Sequence, residues 1–466
     1  MVEALDCDLC ILGAGAGGLA VAAGAARMGA RVVLVEAARM GGDCLHAGCV
    51  PSKALLAVAA RVRAAREVVR LGVTVATDGV DFARVRARVA EAVAAVAPRD
   101  SEERFTALGV RVIRGHGRFT GPDRVVADGV AIRARRFVVA TGSRPAVPHL
   151  PGLDRIPALT AEDLFGLDRR PEHLLVVGGG PVGAELAQAM ARLGARVTLV
   201  QRRRLLPRLP EDLVAPVRAA LRADGVELWE HTRIERVAPG PVLHLARDGQ
   251  RTAVAGSHLL LAAGRVPNVE DLGLEAAGIA VGPDGIRTDA RLRTTNRRVF
   301  AVGDVTDRPR FTHAALQQAG VVLRNALLGL PARVDDRLVP RSVYTDPEVV
   351  VAGRLEPAPG VHFVDLPFAE NDRALVEGCG EGRLRLAVDR RRRLLGVGIV
   401  GARAAEIHAA LAPFLAGRGR LADLARAVLP YPTFGELAKR AAGLVFEPLV
   451  FGPWVRRWVR LVGRLP

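Results

Sequence analysis

Two stretches of the chain carry the same order of apolar runs and small residues. Asp8 to Leu12 is a short apolar run, Gly13-Ala14-Gly15-Ala16-Gly17-Gly18 follows, and an alanine-rich segment continues to Met28. Arg31-Val32-Val33-Leu34-Val35-Glu36 is a second apolar run. Continuous apolar runs of this length predict strands covered on both faces, and the stretch between them suits a crossover helix. The pattern returns downstream. Leu174 to Val177 predicts a strand, Gly178-Gly179-Gly180-Pro181-Val182-Gly183 a loop, Ala184 to Leu193 a helix and Arg196 to Val200 a second strand. No run of eighteen apolar residues occurs, so no membrane span is predicted.

The glycines give these units a chemistry. In a strand–loop–helix turn they permit a tight bend and let a pyrophosphate approach the helix N-terminus, where backbone N–H groups and the dipole favour anions. Gly13, Gly15 and Gly18 stand at the fingerprint spacing, and Glu36, eighteen residues after Gly18, is placed to accept hydrogen bonds from ribose hydroxyls. Gly178, Gly180 and Gly183 repeat the spacing, but eighteen residues after Gly183 comes Gln201, followed by Arg202, Arg203, Arg204 and Arg208. A neutral residue followed by guanidinium groups suits a ribose 2′-phosphate, hence NADPH rather than NADH. In an arginine-rich chain the same residues also read as a solvated loop.

The formal net charge is +17, yet the basic residues are spread through every segment and form no nucleic-acid face. All of them are Arg except Lys53 and Lys439, which implies that the Lys53 site needs a compact ammonium. Five cysteines are too few, and odd in number, for a disulfide-stabilised secreted chain. Cys7 and Cys10 fall on the first strand, three apart, and read as small core hydrophobes pointing to opposite faces. Cys44 and Cys49 lie five apart in Gly41-Gly42-Asp43-Cys44-Leu45-His46-Ala47-Gly48-Cys49-Val50-Pro51-Ser52-Lys53. A distorted helix start would bring their sulfurs to disulfide distance, whereas two buried cysteines or half a zinc site are the other readings. No second Cys/His cluster follows, so no metal site is expected. The N-terminus shows no signal peptide, which points to the cytoplasm.

With these motifs in this order, the chain resembles the class I pyridine nucleotide–disulfide oxidoreductases, a family that includes glutathione reductase, dihydrolipoamide dehydrogenase and mercuric reductase. The likeness runs from about residue 6 to about residue 446 and includes Ala140-Thr141-Gly142-Ser143-Arg144-Pro145, Ala263-Gly264-Arg265-Val266-Pro267-Asn268 and Val299-Phe300-Ala301-Val302-Gly303-Asp304. The resemblance implies an α/β fold with two Rossmann-like domains, for FAD and NAD(P)H, and a C-terminal α+β dimerisation domain. Its segments would be 1–147 for FAD, 148–264 for NAD(P)H, 265–338 for the second part of the FAD domain, 339–447 for the interface domain and 448–466 for a tail. FAD would lie along Gly13, Gly15, Gly18, Glu36, Thr141, Gly142 and Asp304, and NADPH along Gly178, Gly180, Gly183, Gln201, Arg202, Arg208 and Gly264. Cys49 resembles the flavin-proximal thiol and Cys44 the interchange thiol, with Lys53 near the flavin and Glu185 as its ion-pair partner. The expected product is a homodimer that passes electrons from NADPH through FAD and the Cys44–Cys49 disulfide to a small disulfide or a soft metal ion.

One departure bears on the acceptor. The family's disulfide reductases supply a His-Pro and a Glu across the dimer interface, and here that run is Tyr431-Pro432-Thr433-Phe434-Gly435-Glu436. A phenol with a pKa of about 10 is a poor base near neutrality, which is similar to mercuric reductase and counts against lipoamide or glutathione disulfide. No second cysteine pair follows Cys379, however. Dihydrolipoamide dehydrogenase, a membrane-surface quinone reductase and a flavin-bound redox sensor are the alternatives. The tail Gly452 to Leu465 predicts a helix with Arg456, Arg457, Arg460 and Arg464 on one side and Trp454, Val455, Trp458, Val459, Leu461, Val462 and Leu465 on the other. That apolar face suits either packing on the protein body or a seat on the inner face of the membrane.

Overall fold

The computed structural model describes residues 4–75 and 79–464 and divides into two compact units. The first comprises Met1–Arg202 and His231–Asp336, and the second Arg203–Glu230 and Arg337–Pro466.

In the first unit, Ala4–Leu12 is the centre of a sheet of four neighbouring parallel strands, Arg111–Arg114, Val32–Glu36, Ala4–Leu12 and Val130–Val139. Arg124–Ala127 and Arg118–Gly121 continue the sheet antiparallel, and Val299–Ala301 pairs parallel with Val130–Val139. Both faces are covered, as continuous apolar runs require. Leu9, Ile11 and Leu34 face a core shared with the helices Ala16–Arg27 and Thr312–Ala326, while Cys10, Leu12, Val33 and Val35 join a second core on the other side. The two helices approach closely at Gly24, where a Cβ would lie 2.4 Å from a Leu323 methyl carbon.

The second nucleotide unit repeats this plan with parallel strands Arg196–Val200, His173–Val177 and His258–Leu261 and the helix Pro181–Arg192. That helix begins at Pro181, three residues earlier than the apolar pattern indicates, because proline's fixed φ suits the first helical position. Its outward side meets the helix Cys49–Arg70, so the segment after the cysteine pair lies against the second glycine loop's helix. The short strands Ser143–Pro145 and Arg265–Pro267 pair antiparallel and tie the ends of the two nucleotide folds together.

Cys7 and Cys10 are buried, but on one face and not two: both belong to the core lined by Phe119 and Phe137. The amides of Asp8 and Leu9 both donate to the Arg31 carbonyl, an irregularity that breaks simple alternation at this point. Burial pushes the Cys7 thiol up to about 11 and Cys10 further still, so neither is a nucleophile near neutrality.

The second unit is a five-stranded antiparallel sheet in the order Arg341–Val343, Glu348–Gly353, Leu394–Gly401, Arg383–Asp389, Val361–Pro367. Helices Ala404–Leu415, Leu421–Arg426 and Glu436–Leu444 cover one face of it around Leu366, Phe368, Leu411 and Leu437. The chain ends in the helix Pro453–Val462, none of whose residues is buried. No helix among the described residues is long and apolar enough to cross a membrane.

Phe137, fully buried and 5.3 Å centroid to centroid from Phe119, is among the largest buried side chains of the first sheet. Phe137→Ala is expected to destabilise the first unit by about 3–5 kcal/mol. The lowered urea midpoint of that unit is the measurement, and an unchanged midpoint would contradict the packing described.

Candidate active site

The two glycine loops are geometrically equivalent. Gly13 and Gly178 have φ of +103° and +113°, and a Cβ on either would lie 2.4 Å from the carbonyl oxygen of Ala140 or Ala262. A Cβ on Gly18 or Gly183 would stand 1.9 Å from the carbonyl oxygen of Gly13 or Gly178. The middle glycines differ: within 4 Å of a Cβ on Gly15 or Gly180 there is nothing. The outer glycines are therefore required by packing, and the middle one leaves open space at a helix N-terminus, as a pyrophosphate needs.

The loops diverge at one side chain. Glu36 is buried at the end of its strand, and its carboxylate accepts from the amide of Ala14 at 2.5 Å and of Ala38 at 2.6 Å. The equivalent amide in the second loop, Gly179 N–H, donates to the side-chain oxygen of Gln201 at 3.3 Å. The first cradle thus has a fixed carboxylate beside it and fits an adenosine with free ribose hydroxyls, as in FAD. In the second, a neutral amide stands in the corresponding place. Arg202 follows Gln201 at the surface, whereas Arg208 belongs to the second unit, where its carbonyl accepts from Arg341. Thr141 and Gly142 are tied to the other closing turn: Thr141 Oγ1 donates to the Asn268 carbonyl at 2.7 Å, and Asn268 returns a side-chain N–H to the Thr141 carbonyl at 2.9 Å. Gly264, with φ +128°, lies just before that turn.

The cysteine motif starts against the first loop. Gly42 has φ +59°, and a Cβ there would lie 2.8 Å from the Gly15 Cα, so only glycine lets the motif pack on the nucleotide cradle. Cys44 lies on the short helix Gly42–His46, and Cys49 opens the helix Cys49–Arg70. Cys49 Sγ is also 3.2 Å from Thr312 Oγ1, at the first turn of Thr312–Ala326. Hydrogen bonding from Cys44 lowers the Cys49 pKa to about 6; Thr312 and the Lys53 charge act in the same direction, and burial opposes them. Cys44 is correspondingly held protonated, by its hydrogen bond to Cys49 and by burial. One turn beyond Cys49, Lys53 Nζ contacts Glu185 Oε2 at 2.7 Å, with the Glu185 side chain only 6% exposed.

A polar clamp that the sequence did not single out surrounds this motif. The Arg265 guanidinium lies 3.1 Å from Asp43 and 3.6 Å from Asp304, and donates to Ser143 Oγ at 2.7 Å and to the Ser143 carbonyl at 2.8 Å. Ser143 Oγ donates in turn to Asp304 at 2.7 Å. One side chain thus joins the cysteine motif to Asp304, one of the residues expected along FAD. Burial raises the Asp43 pKa, with Arg265 opposing that rise.

Tyr431 and Glu436 meet in the second unit, with Asp372, Lys439, Arg440 and Phe451, around a cavity of about 510 Å³. The Tyr431 hydroxyl donates to Asp372 Oδ2 at 2.6 Å, and that hydrogen bond raises its pKa, which makes it a donor and not a base near neutrality. Glu436 Oε2 accepts from the Thr433 amide at 3.2 Å. No group of three or more His, Cys, Asp or Glu among the described residues is arranged to hold a metal ion.

The Cys49 thiolate is expected to be present above pH of about 6 and to be lost as the pH falls through it. Its depressed pKa likewise adds stability that is complete above the ordinary thiol value of 9.0 and is lost through the same acid limb. Thr312→Val should raise the midpoint by roughly one to two units, because a hydrogen bond to a charged group contributes about 1.5–3 kcal/mol and one unit is about 1.4 kcal/mol. Thiolate absorbance of the reduced protein against pH reads this, and an unmoved midpoint would remove Thr312 from the site.

Residues 7–319 match the family model described as pyridine nucleotide-disulphide oxidoreductase, and residues 339–442 match that family's dimerisation domain. Mercuric reductase of Streptomyces lividans is 34% identical over 451 residues, covering 93% of this chain and 95% of the relative. Dihydrolipoyl dehydrogenase of Geobacillus stearothermophilus is 30% identical over 455 residues, covering 94% and 96%. Among solved structures, LpdA of Mycobacterium tuberculosis superposes with a TM-score of 0.84 at 27% identity over 95% of this chain and 100% of its own. The Cu(II) complex of the HOCl-induced flavoprotein disulfide reductase RclA of Escherichia coli gives 0.81 at 27% over 93% and 99%. The chain belongs to the pyridine nucleotide-disulphide oxidoreductases, class I enzymes that use FAD.

Proposed function

We propose that the chain is a homodimeric NADPH oxidoreductase that delivers electrons through the Cys44–Cys49 pair to a thiol-reactive acceptor, either a small disulfide or a soft metal ion. The observation that carries this reading is the Cys44–Cys49 motif packed on the first nucleotide loop, with Cys49 Sγ 3.2 Å from Thr312 Oγ1 and the Lys53–Glu185 ion pair one turn on. FAD, when bound, accepts hydride from the reduced nicotinamide and passes two electrons to the disulfide. The chain's own residues do the rest. Gly15 and Gly180 leave room for two pyrophosphates, and Glu36 takes a ribose hydroxyl. Lys53, oriented by Glu185, supplies positive charge beside the pair. Transfer of the Cys44 proton to the Cys49 thiolate makes Cys44 the attacking thiolate, and Cys49 then displaces the reduced acceptor as the disulfide re-forms.

The nucleotide preference rests on Gln201, because the amide does not repel a 2′-phosphate where the Glu36 equivalent would. Arg202→Ala is expected to cut kcat/KM for NADPH about ten-fold, a loss of roughly 1.4 kcal/mol, with NADH nearly unaffected. Equal loss for both nucleotides would overturn the assignment.

Tyr431, hydrogen-bonded to Asp372, supports an acceptor that needs no proton from a His, and thus a soft metal ion or a reactive disulfide over dihydrolipoamide. Tyr431 and Glu436 would reach the partner's cysteine pair in the dimer. A second reading, electron transfer from flavin to a quinone at a membrane surface, is favoured by the exposed tryptophans of the C-terminal helix. Cys44→Ser separates the two: the thiol route predicts loss of acceptor turnover with flavin reduction by NADPH retained. Undiminished quinone turnover in that variant would select the second reading, and absence of turnover with every acceptor in the unsubstituted protein would select a redox sensor.

A further inference from the structure

We infer that the helix Pro453–Val462 docks the protein on an anionic lipid surface. No residue of this helix is buried by its own unit; Trp454 is 74% exposed and Trp458 55%, and their rings stack at 6.2 Å with an interplanar angle of 3°. Val459, Leu461 and Val462 are exposed beside them, and Leu449, Val450 and Phe451 extend the apolar surface toward the preceding segment. At about 100° per residue, Arg456, Arg457 and Arg460 share an arc of roughly 100° on the opposite side, and Arg464 follows just past the helix end. From Gly452 to Arg464 there is no acidic residue.

This charge pattern selects the occupant. A protein groove that accepted the tryptophans would leave four like charges with no counter-charge from the helix itself. An anionic bilayer accepts both halves at once, with indoles at the headgroup level and guanidinium groups among the phosphates. A single short helix of this kind gives reversible, salt-sensitive binding and not insertion. Val450 and Phe451 also line the cavity that holds Tyr431 and Glu436. Docking at Pro453 therefore brings that cavity to the lipid surface, where an amphiphilic acceptor would be concentrated. The docking stands on the helix alone and holds whichever acceptor the thiol pair serves.

The test is co-sedimentation of the full-length FAD-loaded protein with vesicles of phosphatidylcholine, with and without phosphatidylglycerol, at low and high salt. Binding is expected to the anionic vesicles, to weaken as salt rises, and to be near background with phosphatidylcholine. R456E/R457E should weaken it well beyond twenty-fold, since each basic residue near an anionic surface contributes about five-fold. W454A/W458A should abolish it, and both variants should keep their flavin and their rate of NADPH oxidation. Absence of anionic-vesicle binding, or binding indifferent to both variants, overturns the proposal. If W454A/W458A instead converts a dimer to a monomer and the parent binds no vesicles, the face is a contact between copies of the chain.

Discussion

The site depends on stabilising a negative sulfur at Cys49, a residue with surface exposure whose thiol is partly desolvated by the chain around it. Burial alone would push Cys49 toward the neutral thiol, as it does for Cys7 and Cys10. The structure offsets that cost with a hydrogen bond from Cys44, a second contact to Thr312 and the nearby Lys53 ammonium. Cys44 and Lys53 belong to the same motif as Cys49, but Thr312 lies 263 residues downstream, so the local chemistry requires the global fold. The close packing of Gly42 on Gly15 and of helix Cys49–Arg70 on Pro181–Arg192 serves this assembly.

The two nucleotide loops show how one geometry is put to two uses. Their first and third glycines are fixed by contacts of matching length, and their middle glycines are open. The loops then differ at the end of the second strand, where Glu36 accepts from two backbone amides and Gln201 accepts from the Gly179 amide. A carboxylate and an amide of similar shape differ in what they repel, and a phosphate tests that difference more sharply than a hydroxyl does.

Much of this was legible in the sequence, because glycine spacing, apolar runs and a rare lysine are local signals with local causes. The strand–loop–helix units and the Cys44–Cys49 motif follow from residues that stand out from their surroundings, whereas the pairing of Lys53 with Glu185 was implied only by the family resemblance. Arg265 did not stand out, being one arginine among many, and its partners Asp43, Ser143 and Asp304 come from three separate segments. Thr312 was hidden for the same reason: a hydroxyl at a helix start usually signals a cap. The partner of Tyr431 is likewise Asp372, distant in sequence. Cys7 and Cys10 were misplaced relative to each other because strict strand alternation assumes a regular ladder, which the shared Arg31 carbonyl interrupts. The tail pattern gave the helix, but only the exposure of its tryptophans separated an open face from a packed one.

Anaerobic titration of the FAD-loaded protein with NADPH, followed by visible absorption, tests the central claim most directly. If Cys44 and Cys49 form a redox disulfide in contact with the flavin, full reduction takes two equivalents. The first of these produces a long-wavelength band from thiolate donation to the oxidised flavin. Complete reduction by one equivalent, without that band, would mean that the cysteine pair stands outside the electron path.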